Sequence, residues 1–251
     1  MDERIRAGGE AYERYRKLIL ERDRLEKEAL LTESAWLREF GQLTTDVLLE
    51  QIECVKLRVM LGFYQEAADR GVPVDQEELI AYLQRELADD YMILEDMQDH
   101  NEAARRRGRT VTEYEDKRIQ ALYQWIAKRL HPALHPETEK REELRIRWIA
   151  AVIAYHANDL LRLVNEEILL RKTFAKLGIT ELAEEVPDID LRIREAEAEI
   201  GKIRTTEPYT WRGVLEDSEA SAAKKAALEA ELAEYRGYRE QMGKCLDELM
   251  R

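Results

Sequence analysis

At 251 residues and 29.5 kDa, the chain is long enough for one large or two small domains. With 45% apolar residues it can build a core, which excludes wholesale disorder, and 11 glycines and 5 prolines are too few turn formers for a sheet-rich fold. A formal net charge of −13 argues against nucleic acid or an anionic membrane as the partner of the whole surface. Cys54 and Cys245 make neither a disulfide framework nor a Cys-x-x-Cys metal site. Both lie on helical patterns, so they are expected as small, buried apolar residues. The charged start Met1-Asp2-Glu3-Arg4 carries no apolar signal segment. The longest apolar run, Trp148 to His156, falls far short of the ~20 residues that span a bilayer. A cytoplasmic, soluble protein is expected.

Helical periodicity runs through nearly the whole chain. A first helix is predicted from about Glu10 to Leu31, with Ala11, Tyr15, Leu18, Leu25 and Ala29 on one stripe. Its opposite face mixes signs through Glu13, Arg14, Arg16, Lys17, Glu21, Arg22, Asp23, Arg24, Glu26 and Lys27, the pattern of a solvated face. Gly41 and Thr44-Thr45-Asp46 should bend or restart the chain before a helix carrying Leu48, Ile52, Val55, Val59 and Phe63. Gly71 fits a helix C-cap, Pro73 forbids continuation, and Asp75 with Glu78 forms a capping box. One helix is then predicted from Asp75 to about Gly108. Thr112 and Glu115 make a second capping box, opening a helix that His131-Pro132 ends, because proline lacks the amide donor. Thr138 is placed to cap the next helical stretch, which runs toward Gly178 with a joint near Asn158-Asp159.

After Pro187 the spacing tightens to a heptad seam through Ile189, Ile193, Ala196, Ile200 and Ile203. Pro208 should reverse the chain. The last helix continues the 3.5 period through Leu228, Leu232, Tyr235, Met242, Leu246 and Leu249 if Arg239 is a seam member. The two seams predict an antiparallel coiled-coil hairpin, and the longer last helix needs another mate for its far end: the Leu160–Phe174 helix, the N-terminal helices or a second subunit in a homodimer. Three regions are expected: a long-helix region over 1–108, a helical hairpin and following helix over 109–178, and the coiled-coil hairpin over 179–251.

Catalytic signatures are missing from the sequence. Gly8-Gly9 follows no strand, and no Gly-x-Ser-x-Gly elbow occurs. Asp89, Asp90, Glu95, Asp96, Asp99 and His100 lack the paired Glu-x-x-His of a di-metal bundle, so a solvated acidic face is expected. His131 and His135 are four apart, but Pro132 and Pro136 deny them the helical geometry of a zinc pair. No metal, cofactor or enzymatic activity is expected. One charge reversal stands out. Between Arg105 and Leu130 eight basic residues face three acidic ones, a net +5. An ordinary helix end rich in arginine, which complements the helix dipole, followed by a solvated face is the leading explanation; the alternatives are docking to an acidic protein and, through Arg105–Arg109, to nucleic acid.

The stretch Tyr123-Gln-Trp-Ile126-Ala127-Lys-Arg-Leu130-His131-Pro132-Ala133-Leu-His-Pro136 resembles the second helix and loop of a J-domain, where family members read Tyr-x-x-Leu-Ala-x-x-x-His-Pro-Asp. Downstream, Trp148, Ala151 and Ala154-Tyr155 resemble the third J-helix, and Asn158-Asp159-Leu160 its continuation in J-like bacterial proteins. The likeness covers about Thr112 to Leu163. It implies a DnaJ-related hairpin embedded in an all-α protein, with His131, Pro132, Ala133 and the basic residues Lys117, Arg118, Lys128 and Arg129 facing a DnaK-class chaperone. Two departures weaken that implication. Ala133 stands where the family's Asp triggers ATP hydrolysis, which removes a charge-assisted contact. The usual first J-helix is also missing, and the Asp75–Arg107 helix is expected to take its packing place. The leading expectation is therefore a non-enzymatic adaptor or scaffold with a degenerate J-like hairpin. The alternatives are an active co-chaperone and a nucleic-acid-binding module.

Overall fold

In the computed structural model, which describes residues 9–106, 111–182 and 186–250, the chain is all-α, and no strand occurs among those residues. Helix α1 spans Glu10–Trp36, passes through a π-helical turn at Leu37–Gly41 and continues as α2, Gln42–Arg70. Then follow α3 (Gln76–Glu86), α4 (Ala88–Arg106), α5 (Glu113–Leu130), the single turn α6 (Glu137–Lys140), α7 (Glu142–His156) and α8 (Leu160–Leu177). Helix α9 covers Ile189–Thr205, a 3-10 turn covers Tyr209–Trp211, α10 is Arg212–Glu216 and α11 is Ser218–Leu249.

Most boundaries follow local chemistry. Gly71 ends α2 in the left-handed conformation, with φ +65°, where a Cβ would strain the backbone. The Thr112–Glu115 capping box closes reciprocally at the start of α5. His131, held extended ahead of Pro132, ends α5. Two boundaries differ from expectation. The Asp75–Gly108 helix is broken at Leu87, whose side chain is buried with Ile52 and Leu94. Thr138 is buried inside α6 instead of capping, and α7 begins after Arg141.

The chain divides into two compact units, each assembled from two separated stretches: 1–33 with 107–212, and 34–106 with 213–251. The three consecutive regions expected from sequence do not coincide with these units, because the long helices pair across large sequence distances. In the first unit α9 lies along α1. Arg14 reaches Glu197 at 2.6 Å and Arg204 reaches Glu21 at 2.5 Å, so both helices advance seven residues between contacts and run parallel. Tyr12, Tyr15 and Ile19 bury the α9 seam of Ile189, Ile193 and Ala196. In the second unit α11 runs parallel to α2. Gln51 meets Glu231, Cys54 Sγ meets the Tyr235 carbonyl, and Leu61 and Gln65 line one groove with Cys245 and Leu249.

These pairings correct the expected antiparallel hairpin of α9 with α11. A heptad seam fixes a helix face but neither the partner nor its direction. Arg239 does occupy its seam position: with Arg236 it grips the buried Glu50 of α2, at 3.1 and 3.3 Å. Leu228, Leu232 and Leu246 are buried within the chain. Cys54 is buried as expected, whereas Cys245 is exposed, a second correction.

The second unit closes around a tight crossing. Asn101 of α4 donates to Thr45 Oγ1 at 2.8 Å, and Thr45 donates to the Gly41 carbonyl at 2.8 Å. A Cβ on Gly41 would overlap the Asn101 amide, so the π turn needs glycine at this contact.

Candidate functional site

The hairpin of α5 and α7 is antiparallel. Tyr123 stacks on Tyr155 with ring centroids 3.9 Å apart, while His131 meets the edge of Trp148 at 4.6 Å. Such aromatic pairs add roughly 0.5–1.5 kcal/mol beyond the area they bury. Ile119, Ile126, Leu130, Leu144, Ala151 and Ala154 fill the space between the helices, and Leu163 and Leu170 of α8 complete this core.

Helix α1 supplies the other wall, through Leu20, Asp23 and Lys27. Within this unit the wall beside the α5–α7 hairpin is therefore α1. The mixed-sign face predicted for α1 is corrected in the same place. Asp23 and Lys27 are each only 4% exposed. They are tolerated because distant groups answer them. Tyr123 donates its hydroxyl to Asp23 Oδ2 at 2.7 Å, His131 Nε2 lies 3.5 Å from the same oxygen, and Arg22 reaches Oδ1 at 3.2 Å. Lys27 lies over the Tyr155 ring at 4.3 Å and 3.6 Å from Asp116.

The loop after α5 is built around His131. Its Nδ1 accepts the Ala133 amide at 3.0 Å, which leaves the ring proton on Nε2, facing Asp23. Its carbonyl accepts the amides of Leu134 and His135. Leu134 is fully buried, and Ala133 packs against the same cluster of Tyr12, Tyr15, Ile19, Ile189 and Ile193. His135 donates from Nε2 to the Lys128 carbonyl at 2.9 Å, tying the loop back to α5.

Burial resists ionisation of Asp23, yet the His131 imidazole, the Tyr123 hydroxyl and the Arg22 guanidinium outweigh it and hold the carboxyl below the usual range. Burial, reinforced by Asp23, pushes the Tyr123 phenol well up, so it remains a donor. Burial pulls Lys27 down against the opposing pull of Asp116, and burial likewise pulls His156 down. Asp23 and Lys27 are thus charges sealed from solvent, and the bonds to His131 hold the loop.

The residues that sequence pointed to are divided by this geometry. Lys117, Arg118, Lys128 and Arg129 line exposed positions of α5. Lys117 pairs with Glu113 at 2.5 Å, Arg118 lies over Tyr114 at 6.0 Å, and Arg129 lies over Trp125 at 4.1 Å. Arg171 of α8 lies over Trp125 as well, at 4.3 Å. Pro132 and Ala133 are half-buried, and His131 is 4% exposed. Arg105 donates to Gln42, and Arg106 pairs with Glu102. Arg107 and Arg109 lie outside the described residues. Among the described residues no cluster of three or more His, Cys, Asp and Glu is placed to hold a metal ion. No helix among them is long and apolar enough to cross a membrane.

Asp23 is the site residue that sequence reading missed. A signal existed: Tyr12, Tyr15, Ile19, Asp23 and Lys27 follow one another by three or four residues, which puts two charges on an inward stripe.

Comparison of the chain with known protein families, curated proteins and solved structures gave no match.

Proposed function

We propose that this chain is a non-enzymatic, cytoplasmic helical adaptor whose J-domain-like hairpin has become architectural and no longer drives a DnaK-class ATPase. The observation that carries the reading is the fate of His131. Its ring is buried, one nitrogen holding the Ala133 amide and the other facing Asp23. A loop used to trigger a chaperone must offer its polar groups to that chaperone. Here the polar groups are spent inside the fold, and the position of the trigger carboxylate is a methyl group packed on α1 and α9.

The second reading, an active co-chaperone, is favoured by the exposed Lys117, Arg118, Lys128 and Arg129 on α5, the helix through which J-domains dock. ATP turnover by a bacterial DnaK-class chaperone separates the two. Wild-type chain should leave turnover at its basal rate. Stimulation by Ala133→Asp alone would fit a J-like frame with its trigger removed. Stimulation by the wild type, lost in a folded His131→Gln variant, would overturn the adaptor reading.

A further inference from the structure

Where α9 ends, a cleft of about 300 Å³ lies between it, α1 and the following 3-10 turn, all within the first compact unit. Ala29 and Leu30 of α1, Ile203 of α9 and Tyr209 of the turn give it apolar, half-buried walls. Glu26, Glu33 and Glu207 line it as well. Ligand sites begin at about this volume, and they combine an apolar lining with a few polar groups.

The charge at the cleft has one sign. Glu26 lies 3.6 Å from Arg22, but among the described residues Glu33 and Glu207 have no ion-pair partner. No lysine or arginine lines the cleft. Arg204, in the last turn of α9, reaches Glu21 instead. The last carbonyls of a helix have no partner within it, so the end of α9 adds the negative pole of its dipole to the same place. Burial raises the Glu26 carboxyl above its usual range, against the opposing pull of Arg22.

A bare metal ion does not fit, because the carboxylates do not converge: among the described residues no three acidic groups are placed to hold one. A cation on a carbon stem does fit. Its methylenes cover the apolar walls while the charged head stays at the carboxylates, as lysine side chains lie on apolar surfaces. Tyr209 adds an aromatic ring, a surface that cations favour. We propose that this cleft binds an aliphatic ammonium group, carried by a free amine or by a lysine side chain of another protein. The site shares no residue with the α5–α7 hairpin, so it stands independently of the adaptor reading.

Isothermal titration calorimetry of the full chain with cadaverine, Nα-acetyl-lysinamide and pentanediol tests the proposal. One-to-one binding of an amine is expected, at about millimolar strength for a ligand of about seven heavy atoms, and none of the diol. Tighter binding of cadaverine assigns the site to a free amine, and tighter binding of the lysine derivative to a protein side chain. Glu33→Gln and Glu207→Gln should each weaken binding about fivefold. Ala29→Leu fills the cleft at unchanged charge and should abolish binding. Glu240→Gln, exposed on α11, should change nothing, which separates the cleft from the general attraction of a chain of charge −13. Melting of the Glu207→Gln chain should match the wild type, since Glu207 is exposed. The absence of saturable binding by either amine overturns the proposal. So does binding of the diol equal to that of cadaverine, equal weakening by Glu240→Gln and Glu207→Gln, or full affinity in a folded Ala29→Leu chain.

Discussion

The two compact units solve the same problem, a charge on an inward helix face, in different ways. In the first, Asp23 is enclosed by Tyr123, His131 and Arg22, which come from α5, the loop after it and α1. In the second, Glu50 is gripped by Arg236 and Arg239, both of which reach solvent along α11. The contrast shows what a buried charge costs when its partners are themselves buried. Arg236 and Arg239 can turn to water if Glu50 is removed, at little penalty, whereas removing Asp23 strands groups that water cannot reach.

The sharpest way to break this comparison is Asp23→Ala. It leaves the Tyr123 hydroxyl and the His131 ring without their acceptor, and should cost about 3 kcal/mol in denaturant unfolding. Tyr123→Phe removes one donor and should cost about 1 kcal/mol. Equal effects from Asp23→Ala and Glu50→Ala would erase the distinction between the units.

Next in size is the crossing of the second unit. Gly41→Ala forces a methyl group into the Asn101 amide and should cost about 1–3 kcal/mol. Adding Asn101→Ala should restore part of that loss, a coupling that a double-mutant cycle reads directly. Strict additivity would mean that the π turn tolerates the methyl by some other movement.

Acid should separate the units further. The native Asp23 carboxyl lies below its unfolded value, so its contribution is complete above about pH 4 and is lost as pH falls through the native value. Burial holds His156 below its unfolded value too, so its contribution is complete above about pH 6.5 and declines below that. Stability should therefore fall with acidification in two steps. Asp23→Asn should flatten the lower step and His156→Gln the upper one. An unchanged profile in either variant would refute the assignment of that step.

The smallest effect belongs to Glu50→Ala. Both arginines are about half-exposed, so the loss should be about 1 kcal/mol and should shrink in high salt.

How much of this was legible in the sequence depended on the range of the interaction. Gly71, the Thr112–Glu115 box and Pro132 act within one helical turn, and each marks its boundary where the pattern places it. The break at Leu87 was hidden because Leu83, Leu87 and Leu94 satisfy a continuous helical period. Only the burial of Leu87 beside Ile52 shows the interruption. Asp23 and Lys27 looked solvated among their charged neighbours, since their partners Tyr123, His131 and Asp116 lie about a hundred residues away.

The sequence by itself determined the all-α class, the caps and the apolar faces, because period and capping are properties of consecutive residues. The tertiary structure decided which faces meet. The seams of α9 and α11 are compatible with each other, with α1 and α2, or with another chain. Partner choice rests on side-chain fit and on charges such as Arg14–Glu197 and Glu50–Arg239. A one-dimensional pattern carries no record of those matches until the chain has folded.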